Sequence, residues 1–544
     1  MEKFLAWWKK EKRYILFFKA ALAACLPILC CLVYCAAQGR SLGEVYLPAS
    51  EWNDELFYYK QVENILHFGY PQGYFGFNES HALKLSFAAW SPVLVSPWLL
   101  WGMLFGWNFM SPILCNIVLL TAAVFLFVWM TKPSGKQMGI LILLFCLYTP
   151  FVRYMLSGMP EIICFSLLIV FYGLVMNYLK KESAAKLGIL FLIAGLLTLM
   201  RPYMLLFLLL PAILCVLRER QRGRTLRGVC ISGVVCGGVL ALYALIKHYL
   251  GAEYFHPLFF TDWLTTFFTS GLKAGFHNFC GTLYWKGKDF CAHTIQGFRS
   301  GLASGAFFAT YLVMMAVLIG QSVADLHRIR RAKRQETEPD AGRKADISKG
   351  VLAAELHLAF SFVAMLFALL LMYKLTEGSK HLLTFLAAGI FVVGMMRTKC
   401  YRKAVLIGAT FAFFFTYMAV DPYDYQVPFV TQERQDKVEL WRENFAETLE
   451  LSSENTPNYD NVVIWTLNDS VDGKGIATRW QLLYGLPEGF GISCCTRDYV
   501  IEHLAELKSR YLAVVPGGEI DAMCTAAGYE ELARDDELVL FRLH

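Results

Sequence analysis

Charged residues are scarce in this chain. They make up 17% of its 544 residues, whereas 56% are apolar, and the mean hydropathy is +0.44. Soluble domains average about 25% charged residues and keep them on a hydrated surface, so this composition excludes an ordinary soluble protein. The net charge of +6 comes mostly from short basic loops and not from one basic patch. Nucleic acid is therefore excluded as an expected partner.

Metal-site and disulfide patterns are also missing. The sixteen cysteines are scattered and their spacing resembles no zinc site, so neither a structural zinc nor a disulfide framework is predicted. Cys280 and Cys291 share one predicted loop and could pair, whereas Cys494 and Cys495 are predicted as strand residues. The N-terminal apolar stretch lacks a small-residue cleavage site, which predicts a retained first helix rather than a removed signal peptide.

Apolar segments of membrane-spanning length recur between residues 14 and 420 and predict a polytopic α-helical membrane protein. The clearest cover 113–130, 139–156, 161–179, 229–250, 351–375 and 404–420. The total is expected to be about 11 to 13 membrane helices. Segment 187–217 is too long for one span and is interrupted by Arg201 and Pro202, so it predicts a hairpin with Arg201 at its tip. A buried arginine is costly, so Arg201 either reaches the interface or faces an anionic partner.

The basic loops predict on which side of the cell membrane each connection lies. The membrane is expected to be that of a bacterium. Basic clusters lie at 9–13, 132–136, 180–186, 218–227, 328–349 and 397–403. The positive-inside rule assigns them and the N-terminus to the cytoplasm. The opposite face then holds 38–85, 157–161, the region of Arg201, 251–300, 377–380 and everything after 421. This requires segment 87–107, with its prolines and glycines, to be broken or re-entrant; a single crossing would reverse every later loop.

The composition changes after Asp421, which divides the chain into a membrane domain, 1–420, and an extracytoplasmic domain, 421–544. Segments 462–467, 491–494, 510–515 and 538–543 are predicted as buried strands, and 479–484, 499–508 and 520–527 as helices. This alternation predicts a small α/β domain with a mostly parallel sheet. Its strand–loop junctions lack a glycine-rich phosphate-binding pattern, so binding or scaffolding is expected of it rather than catalysis.

Five charged side chains and one histidine are predicted at the outer face. Asp54 and Glu55 begin an amphipathic helix over 54–69, and Glu161 begins another helix. Helix capping is the simpler explanation for each carboxylate taken alone. Lys380 and His381 open a third helix, where a cation beside a helix N-terminus suits a phosphate group. Interfacial placement of Lys380 and packing of His381 are the alternatives.

Several short motifs resemble those of GT-C-fold glycosyltransferases, especially the protein mannosyltransferase and lipid A aminoarabinose transferase branch. The Asp54-Glu55 pair in the first outer loop is the most specific of them. The others are Trp90-Ser91-Pro92, Leu104-Phe105-Gly106, Met159-Pro160-Glu161, Leu199-Met200-Arg201-Pro202 and Lys380-His381. The chain departs from the family at two of these positions. The family often has Asp where this chain has Glu161, and a His-Pro-Pro-Leu-like run where this chain has Trp90-Ser91-Pro92.

The resemblance implies transfer of a sugar from a polyprenyl-phosphate donor to an extracytoplasmic glycan, lipid or protein acceptor, with inversion at the anomeric carbon. Asp54 would be the general base, and Glu55 or Glu161 would orient the acceptor or the sugar. Arg201 and Lys380, with His381, would hold the lipid phosphate. No metal or other cofactor is predicted.

Two other classes of function compete with this interpretation. A lipid or polysaccharide transporter or flippase would place ionisable residues near the membrane midplane in two related halves, but no repeated halves are visible in the sequence. A non-catalytic membrane scaffold would instead leave the four charged positions scattered. The mutual distances of Asp54, Glu161, Arg201 and Lys380 therefore distinguish a site from a scaffold.

Overall fold

A bundle of long apolar helices and an α/β layer make up the fold. The computed structural model describes residues 2–46, 53–71, 75–79, 91–147, 150–250, 261–300, 303–335, 341–372, 384–385, 429–452, 459–467, 469–471, 474–475 and 479–544. The predicted site residues Lys380 and His381 and the predicted span 404–420 lie outside these ranges.

Fourteen helices precede the α/β layer in the described part of the chain. They are α1 Glu2–Ala37, α2 Asn53–Phe68, α3 Ser96–Phe105, α4 Ser111–Thr131, α5 Gly135–Leu147, α6 Pro150–Met155, α7 Glu161–Lys180, α8 Ala184–Met200, α9 Leu209–Gln221, α10 Thr225–Leu250, α11 Asp262–Thr269, α12 Gly271–Ser300, α13 Ala303–Gln335 and α14 Ala341–Met372. Short 3-10 helices at Pro92–Val95 and Pro202–Leu208 lead into α3 and α9.

Six helical stretches are long and apolar enough to cross a membrane. Among the described residues they are Arg13–Ala37, Ser111–Thr131, Glu161–Lys180, Pro202–Gln221, Thr225–Leu250 and Gly350–Met372. They match the predicted spans at 113–130, 161–179, 229–250 and 351–375, and they make the chain a multi-pass membrane protein. The total of about 11 to 13 helices stays a prediction, since much of the chain between 373 and 428 is not described.

The bundle is centred on α4, which packs between α1 and α7. Gly173 on α7 permits this approach, because a Cβ atom there would lie 3.3 Å from the Phe127 Cα atom of α4. Asn116 on α4 accepts a hydrogen bond from Trp98 Nε1 over 3.0 Å and donates to the Ser157 carbonyl over 3.2 Å. These bonds tie the turn before α7, where Glu161 begins the helix, to α3 and α4.

Two of the predicted cytoplasmic loops meet at one end of the bundle. Lys19 of α1 donates a hydrogen bond to the Pro133 carbonyl over 3.3 Å, and Lys180 of α7 donates to the Thr131 carbonyl. The clusters at 132–136 and 180–186 therefore lie on the same side, as the loop charges require. Which side is cytoplasmic remains a prediction.

Two irregular segments were anticipated, and two others were not. Helix α3 has ten residues, so its length of about 15 Å covers half of a hydrocarbon core of about 30 Å. The 3-10 helix Pro92–Val95 leads directly into α3, and the broken or re-entrant path of segment 87–107 stays a prediction. Pro202 interrupts 187–217, as predicted, after an extended Arg201.

Two other segments differ from the prediction. Segment 139–156 was expected as one helix but forms α5 and α6, and 251–300 was expected as a loop but contains α11 and α12. Cys280 and Cys291, both on α12, are free and exposed, so the suggested pairing is wrong.

The α/β layer contains a six-stranded sheet. Its elements are β1 Phe75–Phe77, β2 Val462–Leu467, a small hairpin of β3 Ser470–Val471 and β4 Lys474–Gly475, β5 Gly491–Thr496, β6 Tyr511–Val514, β7 Glu530–Arg534 and β8 Val539–Arg542, with α15 Gln432–Thr448, α16 Arg497–His503 and α17 Glu519–Ala527. The strand order is β1-β5-β2-β6-β8-β7. The first four are parallel, while β8 runs antiparallel to β6 and β7. Strands β2, β5, β6 and β8 occupy the four predicted segments.

Strand β1 was not predicted, and it comes from the first outer loop. Phe75 pairs with Ile492 and Phe77 with Cys494 along β5. Glu79 follows, and its buried carboxylate accepts hydrogen bonds from Ser509 N at 2.7 Å and Lys508 N at 3.0 Å. The first loop and the C-terminal residues are therefore parts of one sheet and lie on the same side of the membrane domain.

Candidate functional site

Helix α2 carries the predicted catalytic carboxylates and lies between the bundle and the α/β layer. Tyr58 and Val62 belong to the core cluster of the bundle, whereas Leu56, Phe57 and Tyr59 belong to the cluster of the α/β layer. The amphipathic pattern predicted a helix at the membrane interface. In the structure both faces are instead covered by protein, so α2 is held rigidly in place.

The polar side chains of α2 are satisfied by the α/β layer. Lys60, which is buried, pairs with Glu63 and donates a hydrogen bond to the Leu486 carbonyl. Asn64 accepts a hydrogen bond from Gly489 N over 3.3 Å. Burial raises the pKa of Glu63, and the nearby Lys60 ammonium opposes that rise. Three polar side chains on this helix, Lys60, Glu63 and Asn64, are thus buried with partners, which fixes the direction in which its N-terminus points. Gln61 is buried as well.

Glu55 forms a fully buried ion pair with Arg153 of α6. Both guanidinium nitrogens Nη1 and Nη2 lie 3.4 Å from Glu55 Oε1, and neither side chain is exposed. The position of Glu55 in the first turn of α2 fits the capping interpretation, but this pair gives the carboxylate a second function. It joins the start of α2 to the membrane domain at the position next to Asp54.

Glu161 and Arg201 form a second buried pair. Arg201 Nη2 donates a hydrogen bond to Glu161 Oε1 over 2.7 Å, and both side chains are buried. Glu161 is the first residue of α7, and Arg201 lies in the extended break between α8 and the following 3-10 helix. Of the two sequence interpretations of Arg201, the structure thus favours the one in which the guanidinium faces an anionic partner, which here is Glu161.

Tyr58 links helix α2 to the Glu161–Arg201 pair. It lies one turn after Asp54 and close enough to Arg201 to interact with it electrostatically, as does Tyr203. The Tyr203 hydroxyl lies 3.5 Å from Arg201 Nη1. Helix α2 therefore runs near the start of α7 and the break after α8. That Asp54, Glu55, Glu161 and Arg201 form a single site stays a prediction.

Asp54 differs from its neighbour Glu55 in exposure. It lies in the first turn of α2 and is only partly buried. The N-terminal end of a helix dipole stabilises a carboxylate, and partial exposure lets a second molecule approach it. Asp54 is thus the accessible acid of the cluster, while Glu55 and Glu161 are its enclosed acids.

The side chains of this cluster have no net positive charge, so a phosphate bound here would need a cation from elsewhere in the chain. Each buried Glu–Arg pair sums to zero, and Asp54 adds one negative charge. Lys380 and His381, the predicted phosphate ligands, lie outside the described residues. No group of three His, Cys, Asp or Glu side chains suited to a metal ion occurs in the part of the chain that the structure describes.

Sequence reasoning missed Arg153, Tyr58 and Tyr203. A signal for Arg153 was present, because a single arginine inside the apolar run 139–156 requires a partner in a membrane protein. Its partner was not evident, since Glu55 is 98 residues away. Nothing in the local sequence separates the two tyrosines from the many aromatic residues of the chain.

Comparisons with known proteins give a limited result. No family model and no curated protein matches the chain. Two crystal structures of ArnT from Cupriavidus metallidurans are similar, each with a TM-score of 0.43. The apo state is 11% identical and covers 90% of this chain and 93% of its own, and the state bound to undecaprenyl phosphate is 12% identical and covers 98% of each.

Proposed function

We propose that this protein is an integral membrane glycosyltransferase that moves a sugar from a polyprenyl-phosphate donor to an extracytoplasmic glycan, lipid or protein acceptor. The observation that carries the proposal is a pair of buried Glu–Arg ion pairs, one of them next to the partly exposed Asp54 on α2 and the other within electrostatic reach of Tyr58 on the same helix. Buried ionisable groups in a membrane protein are costly, and they are concentrated where a polar reaction or pathway needs them.

Asp54 is the general base in this proposal. Its carboxylate takes the proton of the acceptor hydroxyl as the hydroxyl oxygen bonds to the anomeric carbon. The bond from that carbon to the phosphate oxygen breaks, and the polyprenyl phosphate leaves with the electron pair. Because the base and the phosphate lie on opposite sides of the sugar, this single displacement inverts the anomeric configuration. The partial exposure of Asp54 supports the assignment, since the acceptor must reach it.

Arg201 is proposed to stabilise the negative charge that grows on the departing phosphate. A guanidinium offers five N–H donors, and the described contacts to Glu161 and Tyr203 engage Nη2 and Nη1. Glu161 orients Arg201 and offsets its charge. Lys380 and His381 are therefore proposed to provide the additional positive charge that the phosphate needs.

Clustering of the charges favours the enzyme over the alternatives. A scaffold does not require a buried Glu161–Arg201 pair within electrostatic reach of α2, and the presence of this pair supports the enzyme. A transporter or flippase would place the charges along a path through the bundle, whereas Glu55 and Glu161 lie in the first turns of their helices.

Replacement of Asp54 tests the proposal. A strain that lacks the protein is expected to lose one envelope glycan modification and to accumulate a polyprenyl-phosphate sugar, both measured by mass spectrometry. Asp54→Asn keeps the size and capping ability of the side chain but removes the base. We expect it to behave like the deletion, with transfer reduced by about 10²- to 10⁴-fold.

The matched control is Asp498→Asn, which removes an exposed acid from the first turn of α16. It should restore the modification fully. A membrane-inserted Asp54→Asn protein that restores wild-type transfer would reject Asp54 as the base. A deletion strain with unchanged glycans and unchanged donor lipids would reject the glycosyltransferase assignment itself.

A further inference from the structure

Helices α11 and α12 form a hairpin whose inner surface is well packed. They meet at Gly271, which has a φ of 84° that favours glycine. Trp263 and Phe279 pack with their ring centroids 5.2 Å apart, and Asn278 donates a hydrogen bond to Thr266 Oγ1 over 2.9 Å. The two helices are therefore one unit with defined outer faces.

The tip of this hairpin presents large apolar side chains outward. Phe268 is 83% exposed, Leu272 80% and Phe276 62%, and Leu264 is also exposed. Leu264 and Phe268 are four residues apart on α11, as are Leu272 and Phe276 on α12, so each pair forms a stripe along its helix. We call these four side chains the hairpin patch. An exposed apolar cluster of this kind marks a surface that something covers.

Polar residues occupy another side of the same hairpin. On α11 they are Asp262, Thr265 and Thr269, and on α12 Lys273, His277 and Lys288, all of them exposed. The hairpin contains three lysines and one arginine, all on α12, and two acids, so its net charge is positive. A helix with an apolar stripe beside a basic stripe is typical of elements that lie in a membrane interface. The lysines suit the phosphate groups of lipids.

The hairpin is also kept near the membrane by its neighbours in the chain. It follows the membrane span Thr225–Leu250, and α13 begins directly after it. Helix α12 packs on α13 and α14, and Phe290 near its C-terminal end is buried in the core cluster of the bundle. Tyr284 and Trp285 on α12 are exposed, as in the aromatic belts at membrane surfaces.

We propose that the α11–α12 hairpin lies in the membrane interface and inserts the hairpin patch among the acyl chains of the lipid leaflet. The occupant of the patch is therefore lipid, and neither a second copy of this chain nor another protein. The hairpin follows a membrane span and packs on the helix bundle, so its insertion is independent of the chemistry proposed for Asp54.

Photocrosslinking in the full-length protein in phospholipid nanodiscs tests this. p-Benzoylphenylalanine is introduced in place of Phe268 or Phe276, and adducts are identified by mass spectrometry. Three positions serve as controls: the exposed Phe18 on the membrane span of α1, the exposed Leu440 on α15, and Thr265 on the polar side of α11. We expect lipid adducts at Phe268 and Phe276 in a yield comparable to Phe18 and several-fold above Leu440 and Thr265.

A lipid yield at Phe268 and Phe276 no higher than at Leu440 would overturn the proposal. So would a predominant adduct with a second copy of the chain. If these variants do not fold, the unmodified protein is labelled with a lipid-soluble diazirine: label on the peptide 262–280 supports insertion, and label no stronger than on 432–448 overturns it. Sugar transfer is not part of either measurement, so failure here would leave the proposed function untouched.

Discussion

Arg201 Nη2 lies 2.7 Å from Glu161 Oε1, and this pair connects the break after α8 to the first residue of α7. Both side chains are buried, so neither charge can be left alone without a large desolvation cost. The pair thus has a structural function in addition to the phosphate contact proposed for Arg201. The stability that each buried pair provides can be measured by removing one partner.

Removing one partner of the Glu161–Arg201 pair is expected to destabilise the protein strongly. Arg201→Ala leaves a buried carboxylate without its guanidinium and should cost about 3–5 kcal/mol. The double variant Glu161→Ala/Arg201→Ala should be more stable than Arg201→Ala, because no buried charge is left uncompensated. Thermal unfolding in detergent measures both. Equal stability of wild type and Arg201→Ala would contradict the burial of this pair.

The Glu55–Arg153 pair allows a comparison of a buried with an exposed ion pair. Arg153→Met should cost about 3–5 kcal/mol, because Glu55 is left buried at the start of α2. The matched control is Arg328→Met, since Arg328 pairs with Asp325 over 3.0 Å and its side chain is mostly exposed. We expect that change to cost less than about 1 kcal/mol. Similar unfolding temperatures for the two variants would reject the structural importance of Arg153.

Glu79 is expected to hold the first loop in the C-terminal sheet. Its carboxylate accepts hydrogen bonds from Ser509 N and Oγ at Oε1, both at 2.7 Å, and from Lys508 N at Oε2 over 3.1 Å. Glu79→Gln removes the negative charge and replaces one of these acceptor oxygens with an amide group. We expect a loss of about 1–3 kcal/mol at this site and faster hydrogen exchange along β1 and β5.

The control for this loop is Glu44→Gln, which changes an exposed carboxylate of the same segment and should leave exchange unchanged. Wild-type exchange along β1 in Glu79→Gln would show that strand pairing alone holds the loop.

The Asp521–Arg534 pair predicts a dependence of stability on pH. The hydrogen bond from Arg534 lowers the pKa of Asp521 in the folded protein. A lowered carboxylate pKa stabilises the fold above the unfolded value of about 3.9, and the stabilisation disappears as the pH falls through the folded pKa.

Asp521→Asn should therefore speed hydrogen exchange of α17 and β7 at neutral pH and have progressively less effect below about pH 4. Asp498→Asn, at an exposed acid, should change exchange little at any pH. An effect of Asp521→Asn that grows on acidification would contradict the assigned direction.

Patterns within the local sequence predicted much of the architecture. Hydropathy identified Ser111–Thr131 and Thr225–Leu250, and runs of buried β-formers identified β2 and β6. These features depend only on the residues inside each segment. The polar strand β7 was missed because neither alternation nor β-branched residues mark it.

Pairings between distant segments could not be predicted in the same way. The amphipathic pattern of 54–69 is the same whether lipid or protein covers the helix, so the α/β layer over α2 was not foreseen. Arg201 and Glu161 were predicted on one face, but their direct bond depends on how α7 and α8 pack. The three-residue strand β1 has no signal of its own and forms only beside β5.

The pairing of the first loop with the end of the chain sets an order of assembly. Glu79 and Ser493 are 414 residues apart, so the first loop is translated long before the strand that receives it. Until then Phe75–Phe77 remains an unpaired apolar strand, and helix α2 lacks the layer that covers half of it. Asp54 therefore reaches its final position only after β5 and its neighbours have been synthesised.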